Sequence, residues 1–130
     1  MEIIRGADIA SFANAGVVSE QLLFPENSTS QRVTITRVTV LPGATNPPHV
    51  HATSEQVWIA LRGSALLLLG GNTTAPFVEG DVVRFADGEV HGLSNGGIVE
   101  FVYLSVTSPP LNFRAAYAAD WQQANRDNAA

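Results

Sequence analysis

Between about residues 17 and 107, short runs of β-branched and apolar residues alternate with glycine- and proline-marked turns. The clearest run, residues 32–41, interleaves threonine and arginine with valine and isoleucine and ends at Pro42-Gly43. Further runs follow the same plan, and no segment with helical periodicity interrupts them; they are residues 22–24, 49–51, 56–61, 65–69, 77–78, 82–85 and 98–106. Strands this short at this spacing are typical of an all-β sandwich or barrel.

The C-terminal segment has a different composition. Residues 113–124 are rich in alanine, and Tyr117 and Trp121 stand four positions apart, which puts them on one face of a helix. We predict a short C-terminal helix that packs on the barrel, followed by a frayed end at residues 125–130. We assign residues 1–130 to a single domain, with a barrel core at about 17–107 and a helical tail at 111–130.

All three histidines of the chain lie in two short motifs, residues 43–63 and residues 80–95. Side chains alternate along a strand, so His49 and His51 are expected on one face of an extended segment. His91, about forty residues further on, can complete a site from another strand. Because imidazole is the commonest metal-binding side chain, this arrangement predicts a metal held inside a β-barrel.

The two motifs resemble the signature of the cupin superfamily. The matching positions of the first motif are Gly43, His49, His51 and Gly63, and those of the second are Gly80, Gly88, His91 and Asn95. Ala86 stands where the family usually has proline, a change that affects mainly the stiffness of a turn. The resemblance covers residues 43–95 and implies a small single-domain cupin. Its fold would be a double-stranded β-helix, or jelly-roll barrel, here with a short C-terminal helix.

The resemblance also implies a fourth metal ligand, which the family usually supplies as glutamate. Counted from His51, both Glu55 and Gln56 fit the spacing, but counted back from Gly63 only Gln56 fits. The two neighbours point to opposite faces of a regular strand. We therefore favour Gln56 as the fourth ligand beside the three histidines, and the alternative is a β-bulge that turns Glu55 inward.

The predicted ligand set is electrically neutral, which affects the chemistry of the site. Three imidazoles and an amide leave the charge of a divalent metal uncancelled, so the site should attract an anionic substrate or stabilise an oxyanion. Histidine with oxygen ligands suits iron, manganese, nickel, cobalt or zinc, and family habit favours iron or manganese. A similar three-histidine-plus-glutamine set occurs in small cupins that are hydroxynitrile lyases, which makes lyase chemistry an option.

Aromatic residues are candidates for the wall of the site. Alternation from Gln56 puts Trp58 on the same inward face, where it either flanks the metal or packs in the core. In residues 98–106, Phe101 and Tyr103 share one face, and alternation does not show whether that face lines the cavity. A cavity-facing Tyr103 would offer its hydroxyl as a proton donor. We take Tyr103 and Trp58 as the candidate catalytic residues.

Two features leave alternatives open. An inward Arg37 would bind a substrate carboxylate bidentately, but we favour a solvent-facing Arg37 on a half-exposed strand. The tail aromatics Phe113, Tyr117 and Trp121 have three possible roles, namely to cap the mouth of the barrel, to cover a sheet edge or to pack across a dimer.

Composition narrows the function classes. The chain has no cysteine, which excludes disulfides, thiolate metal sites and a catalytic thiol. A net charge of −5 without a basic cluster argues against nucleic-acid binding. The N-terminus does not resemble a signal peptide, and the longest apolar run is too short to span a membrane, so we expect a cytoplasmic protein with no membrane partner. An apolar fraction of 45% with only 15% charged residues favours a homodimer.

Together these features predict a small metal-dependent cupin enzyme that acts on a small organic molecule. Dioxygenase-type chemistry is our first expectation, with lyase or isomerase chemistry next. The alternative from a different class is a non-catalytic sensor or binding module for a sugar-like or small acidic ligand. The fold alone does not choose among these activities.

Overall fold

The computed structural model describes residues 1–122, and within them ten strands form two antiparallel sheets. The strands are β1 (Ala10–Asn14), β2 (Val17–Leu23), β3 (Thr34–Val40), β4 (Thr45–His49), β5 (Glu55–Arg62), β6 (Ser64–Leu69), β7 (Thr73–Val78), β8 (Val82–Phe85), β9 (His91–Ser94) and β10 (Phe101–Ser108). The larger sheet has the order β1-β2-β3-β10-β5-β8, and the smaller has the order β4-β9-β6-β7. One-turn 3-10 helices occur at Gly6–Asp8 and Gly70–Asn72, and helix α1 spans Arg114–Tyr117. The predicted double-stranded β-helix with a short C-terminal helix is confirmed.

The inside of the barrel changes character from one end to the other. At one end the larger sheet contributes apolar side chains, such as Val40 opposite Phe101. At the other end, cross-strand neighbours Thr34, Thr107 and Gln56 are all buried and polar. Because buried polar groups need partners, this second end is where a binding site is expected.

The strand predicted at residues 49–51 is wrong in its position. β4 ends at His49 and contains Pro47 and Pro48, whereas His51 lies beyond the strand. Proline cannot donate to a sheet, but β4 is an edge strand of the smaller sheet, where that donor is not needed. The pairing of β4 with β9 also shifts register between Asn46 and His49, next to the two prolines.

The last strand is displaced from the predicted residues 98–106, because β10 begins only at Phe101. Ile98 is 94% exposed and Val99 is 53% exposed, in a loop rather than a strand. The buried side chain of Asn95 holds this loop: its Nδ2 donates to the carbonyl of Val99, and its Oδ1 accepts from the backbone N–H of Gly97. These bonds outweigh the β-propensity of Ile98 and Val99.

The two ends of the chain interact. β1, which the sequence did not reveal, pairs with β2 through a turn in which Ala15 and Gly16 both have positive φ. Asn14, at the end of β1, donates to the carbonyls of Tyr117 and Ala119. These bonds occupy the carbonyl of the last residue of α1 and one two residues later, where the helix predicted at residues 113–124 is interrupted; residues 121 and 122 are helical again.

The predicted helix beyond residue 122 and the predicted frayed end at 125–130 lie outside the described residues. None of the helices within residues 1–122 is both long and apolar enough to cross a membrane.

Candidate metal centre and its cavity

The three histidines converge at the polar end of the barrel. Their ligand atoms all lie within 4.8 Å of one another. His49 ends β4 and is paired with His91, the first residue of β9, while His51 approaches from the loop after β4. The ring centroids are 4.4 Å apart for His49 and His91 and 5.1 Å apart for His51 and His91. The structure therefore brings together the three residues that the sequence predicts as metal ligands.

A close approach of two strands makes this convergence possible. Gly92 follows His91, and a Cβ atom at Gly92 would lie 2.8 Å from the carbonyl oxygen of Asn46 and 2.9 Å from the nitrogen of Pro48. Both distances are shorter than normal van der Waals contact. Only glycine therefore lets β9 run this close to the proline-containing part of β4.

Backbone carbonyls orient two of the imidazoles. The Nδ1 atom of His49 lies 2.8 Å from the carbonyl oxygen of Pro47, and the Nδ1 atom of His91 lies 2.8 Å from that of Glu89. A carbonyl only accepts hydrogen bonds, so Nδ1 carries the proton in both rings and the Nε2 lone pairs are free. The Nε2 atoms of His51 and His91 are buried without a hydrogen-bond partner. Orphaned lone pairs of this kind fit a divalent metal.

The protonation of the cluster also suits a metal. Burial, with a smaller contribution from nearby His49, lowers the pKa of His91 to about 3 and that of His51 to about 4. Burial also lowers the pKa of His49, partly offset by its bond to the Pro47 carbonyl. All three rings are therefore neutral near pH 7, which is the form that binds metals.

Gln56, not Glu55, faces the interior. Gln56 is 4% exposed; its side-chain oxygen accepts from the indole Nε1 of Trp58 at 3.0 Å, and its Nε2 donates to Oγ1 of Thr107 at 2.9 Å. Glu55 points outward and forms an ion pair with Arg84, with its Oε2 2.6 Å from Nε. The amide oxygen of Gln56 keeps a second lone pair, so the bond from Trp58 orients it without excluding a metal.

Trp58 and Tyr103 form an aromatic wall inside the barrel. Both are 1% exposed, both line the cavity, and their ring centroids are 4.6 Å apart. Trp58 also packs on Phe85 at 5.0 Å, so it has a core role and a cavity-lining role at once. Of the two faces of β10, the aromatic face is thus the inward one.

Two neighbours of the site were not found from the sequence. Phe85 stacks on His91, with ring centroids 4.6 Å apart and an interplanar angle of 15°, and so restrains that imidazole. Asn46 is buried and donates to the hydroxyl of Tyr103 at 3.4 Å. Burial raises the pKa of Tyr103, so its hydroxyl is a neutral phenol. Only the pairing of strands shows these two contacts, which is why sequence spacing missed them.

Arg37 takes no part in the site. Its guanidinium forms a bidentate ion pair with Glu20, with Nε 2.7 Å and Nη2 2.9 Å from the carboxylate oxygens. The side chain is 43% exposed. The favoured solvent-facing placement of Arg37 is confirmed.

The tail lines one side of a cavity of about 410 Å³ that lies next to the histidines. Phe113, Tyr117 and Trp121 all line it, and the ring of Phe113 lies 5.7 Å from that of His51. Trp121 is 7% exposed, and its indole donates to the carbonyl of Ala116 at 2.8 Å. The tail aromatics thus line the cavity, and Tyr117 also packs on Phe12 of the edge strand β1, with ring centroids 6.3 Å apart; packing across a dimer stays a prediction.

Solved structures with the same fold are numerous. The polyketide cyclase RemF from Streptomyces resistomycificus is 24% identical, with a TM-score of 0.70 over 83% of this chain and 79% of that chain. A predicted oxalate decarboxylase from Thermotoga maritima is 22% identical, with a TM-score of 0.71 over 82% of this chain and 98% of that chain. At these identities the likeness shows the fold alone.

Sequence comparisons give the family. Germin-like protein 3-5 of Oryza sativa subsp. japonica is 36% identical over 86 residues, which are 64% of this chain and 37% of the rice protein. The chain thus spans little more than a third of the length of this relative. The profile of the cupin domain matches residues 36–107, more than half of the chain. With its fold and its histidine cluster in place, the chain belongs to the cupin superfamily.

Proposed function

We propose that this cupin is a metal-dependent enzyme in which His49, His51, His91 and Gln56 hold a divalent transition metal. The cavity beside them takes a small organic molecule. The observation that carries the proposal is the pair of buried, unpartnered Nε2 atoms in a cluster of three neutral imidazoles. Burying two acceptors without partners is costly, and a metal ion would satisfy both at once.

The bound metal would supply Lewis-acid or redox chemistry, with iron or manganese favoured and nickel, cobalt or zinc as alternatives. The protein's part is to hold the ligands and to shape the cavity. Trp58 keeps the Gln56 oxygen oriented, and the Pro47 and Glu89 carbonyls hold the imidazoles of His49 and His91 in one tautomer. Tyr103 and Trp58 line the cavity and are the residues proposed to contact substrate.

Dioxygenase-type chemistry is the reaction class that we favour, followed by lyase or isomerase chemistry. The support is that few side chains in the cavity can act as a general acid or base. Among the described residues that line the cavity, Asp120 is the one carboxylate, and none is lysine, arginine or glutamate. A reaction whose reactive centre is the metal depends least on a protein base, whereas lyases and isomerases depend on one more strongly.

The same shortage of acid–base groups supports a second candidate, a binding or sensor module without catalysis. A sugar-like ligand would then occupy the cavity, or a small acidic one held by the metal. Turnover distinguishes the candidates, because a binding module would load metal and ligand and release the ligand unchanged.

A homodimer is proposed as well, as the composition suggests. Val82 is 64% exposed and Ile98 is 94% exposed, so a second subunit would have apolar surface to cover. Light scattering of the protein in solution tests this, and a mass of one chain at high micromolar concentration would contradict it.

The decisive experiment is metal content per chain by mass spectrometry, on untagged protein. We expect about one equivalent of a transition metal after purification or reconstitution, and little in a His51→Ala variant. An Arg37→Ala variant is the matched control, because Arg37 lies outside the site, and it should keep its metal. Lack of metal after reconstitution with each of the five ions would overturn the proposal.

A further inference from the structure

The side chains around the cavity, considered apart from the charge of a bound metal, favour an uncharged ligand. Four arginines form ion pairs elsewhere on the surface; the pairs are Arg37–Glu20, Arg62–Glu100, Arg84–Glu55 and Arg114–Glu26. No arginine or lysine occurs among the described residues that line the cavity. A carboxylate or phosphate on a ligand would therefore lack a cationic side chain to pair with there.

Aromatic rings line the cavity from two different parts of the chain. Trp58 and Tyr103 project from the inner face of the larger sheet, with ring centroids 4.6 Å apart. Tyr117 and Trp121 project from the tail, with centroids 4.7 Å apart, and Phe113 lies beside them on the same segment. Planar rings offer large contact areas to a flat ligand, and aromatic pairs gain further from edge-to-face and offset contacts.

The polar groups of the cavity are few and neutral. Ser19, Thr36 and Ser105 line it from the larger sheet, and Thr36 is directly opposite Ser105 in the pairing of β3 with β10. The amide of Asn46 lies near the Tyr103 hydroxyl. Hydroxyl and amide groups of this kind both donate and accept, so they suit a ligand hydroxyl or carbonyl rather than a charged group.

We propose that the cavity binds a neutral aromatic compound of one or two rings that carries hydroxyl or carbonyl groups. Its volume of about 410 Å³ is at the small end of the range for ligand pockets, which fits a compound of one or two rings. The rings of the ligand contact the aromatic side chains of the barrel and the tail. Its oxygen atoms contact the hydroxyl groups of Ser19, Thr36 and Ser105, or the metal. This assignment of a substrate class rests on the proposed function, although the aromatic contacts themselves do not need the metal.

Calorimetric titration tests the proposal on full-length, untagged protein, both metal-free after chelation and metal-loaded. The probes are phenol, catechol, 2-naphthol and 1,4-naphthoquinone, with 2-naphthoate and glucose as comparisons. In the metal-free protein we expect at least one neutral aromatic probe to bind, and 2-naphthoate to bind at least about tenfold more weakly than 2-naphthol. Glucose should give no heat of binding.

A variant pair assigns the binding to the cavity. Phe113→Leu removes one ring from the half-exposed tail and keeps an apolar side chain, so the protein should stay folded. The substitution should reduce the affinity for the tightest-binding aromatic probe about three- to tenfold. Leu66→Ala, on the exposed outside of β6, is the matched control and should leave binding unchanged.

The outcomes separate this inference from the metal proposal. If the protein binds an aromatic probe but never loads metal, the inference stands and the metalloenzyme proposal is wrong. A protein that loads metal but prefers glucose, that prefers 2-naphthoate in its metal-free form, or that binds none of the aromatic probes overturns the inference while the metal site stands.

Discussion

The two walls of the cavity are built in different ways. The histidine wall is formed by His49 and His91, which lie in strands, and by His51 in the loop after β4. Backbone carbonyls orient the rings of His49 and His91. The tail wall, formed by Phe113, Tyr117 and Trp121, lies outside the sheets and is held by side-chain contacts. Asn14 donates to two tail carbonyls, Thr34 exchanges hydrogen bonds with Leu111, and Arg114 pairs with Glu26 and lies over the ring of Phe12. The first wall is part of the sheets, and we expect the second to open more readily than the barrel.

The two walls meet different requirements of a ligand-binding site. Metal ligands must keep their geometry with the ligand present or absent, and short bonds to a rigid backbone provide that. A small molecule must also enter, and a segment of low local stability can open at little cost. We expect the tail to be such a segment, because it lies outside the sheets.

The largest effect should follow from removing a ligand of the histidine wall. In a His91→Ala variant, the metal loses the imidazole that stacks on Phe85, and metal content should fall by more than about tenfold. Mass spectrometry measures the metal, and circular dichroism checks that the β-sheet signal is kept. His51→Ala, in the loop after β4, repeats the test at a less buried position. Full metal content in both variants would show that the cluster is not the metal site.

Replacing the fourth predicted ligand should change affinity in a definite direction. Gln56→Glu keeps the side-chain length, and its oxygens can still accept from Trp58, but it adds a negative charge beside the cluster. We expect Mn²⁺ to bind about tenfold more tightly in Gln56→Glu and more weakly in Gln56→Ala, as measured by competition with a fluorescent chelator. Equal affinity for Mn²⁺ in all three proteins would show that residue 56 does not contact the metal.

The histidine wall is predictable from the sequence because His49 and His51 lie two positions apart on one segment and because the two motifs resemble the cupin signature. The spacing of that signature between His51 and Gly63 also selects Gln56, which the structure places inward. Predicted strand boundaries are wrong where a side chain from another part of the fold hydrogen-bonds to the segment. Asn95 pulls Ile98 and Val99 out of the strand, and only its tertiary hydrogen bonds reveal this.

The tail wall is predictable only in part. The spacing of Tyr117 and Trp121 indicates that both face the barrel, and their rings do lie 4.7 Å apart. That they line the cavity depends on β1, which the sequence did not show, because Asn14 of β1 bonds the tail carbonyls. Contacts between the two ends of the chain carry no local sequence signal.

A smaller effect is expected from loosening the tail. Trp121→Ala removes a buried indole and its bond to the Ala116 carbonyl, so residues 113–121 should detach while the barrel stays folded. Amide hydrogen exchange should speed up by more than about tenfold in that segment and stay unchanged in β10. If exchange rises equally in both, the tail and the barrel form one cooperative unit, and the contrast between the two walls is wrong.

The smallest effect concerns the ion pair at the base of the tail. The guanidinium of Arg114, assisted by the amide of Asn112, lowers the pKa of Glu26 from 4.5 to about 2. The folded state therefore favours the charged carboxylate, so the contribution of the pair is complete above about pH 4.5 and is lost as the pH falls toward 2. Both groups are exposed, so the effect should be modest. In a Trp58→Phe background, acrylamide should quench Trp121 more strongly as the pH falls through this range, and Glu26→Gln should show the stronger quenching already at pH 6. If the pH dependence survives in Glu26→Gln, another group holds the tail, and the ion pair contributes nothing to keeping the tail on the barrel.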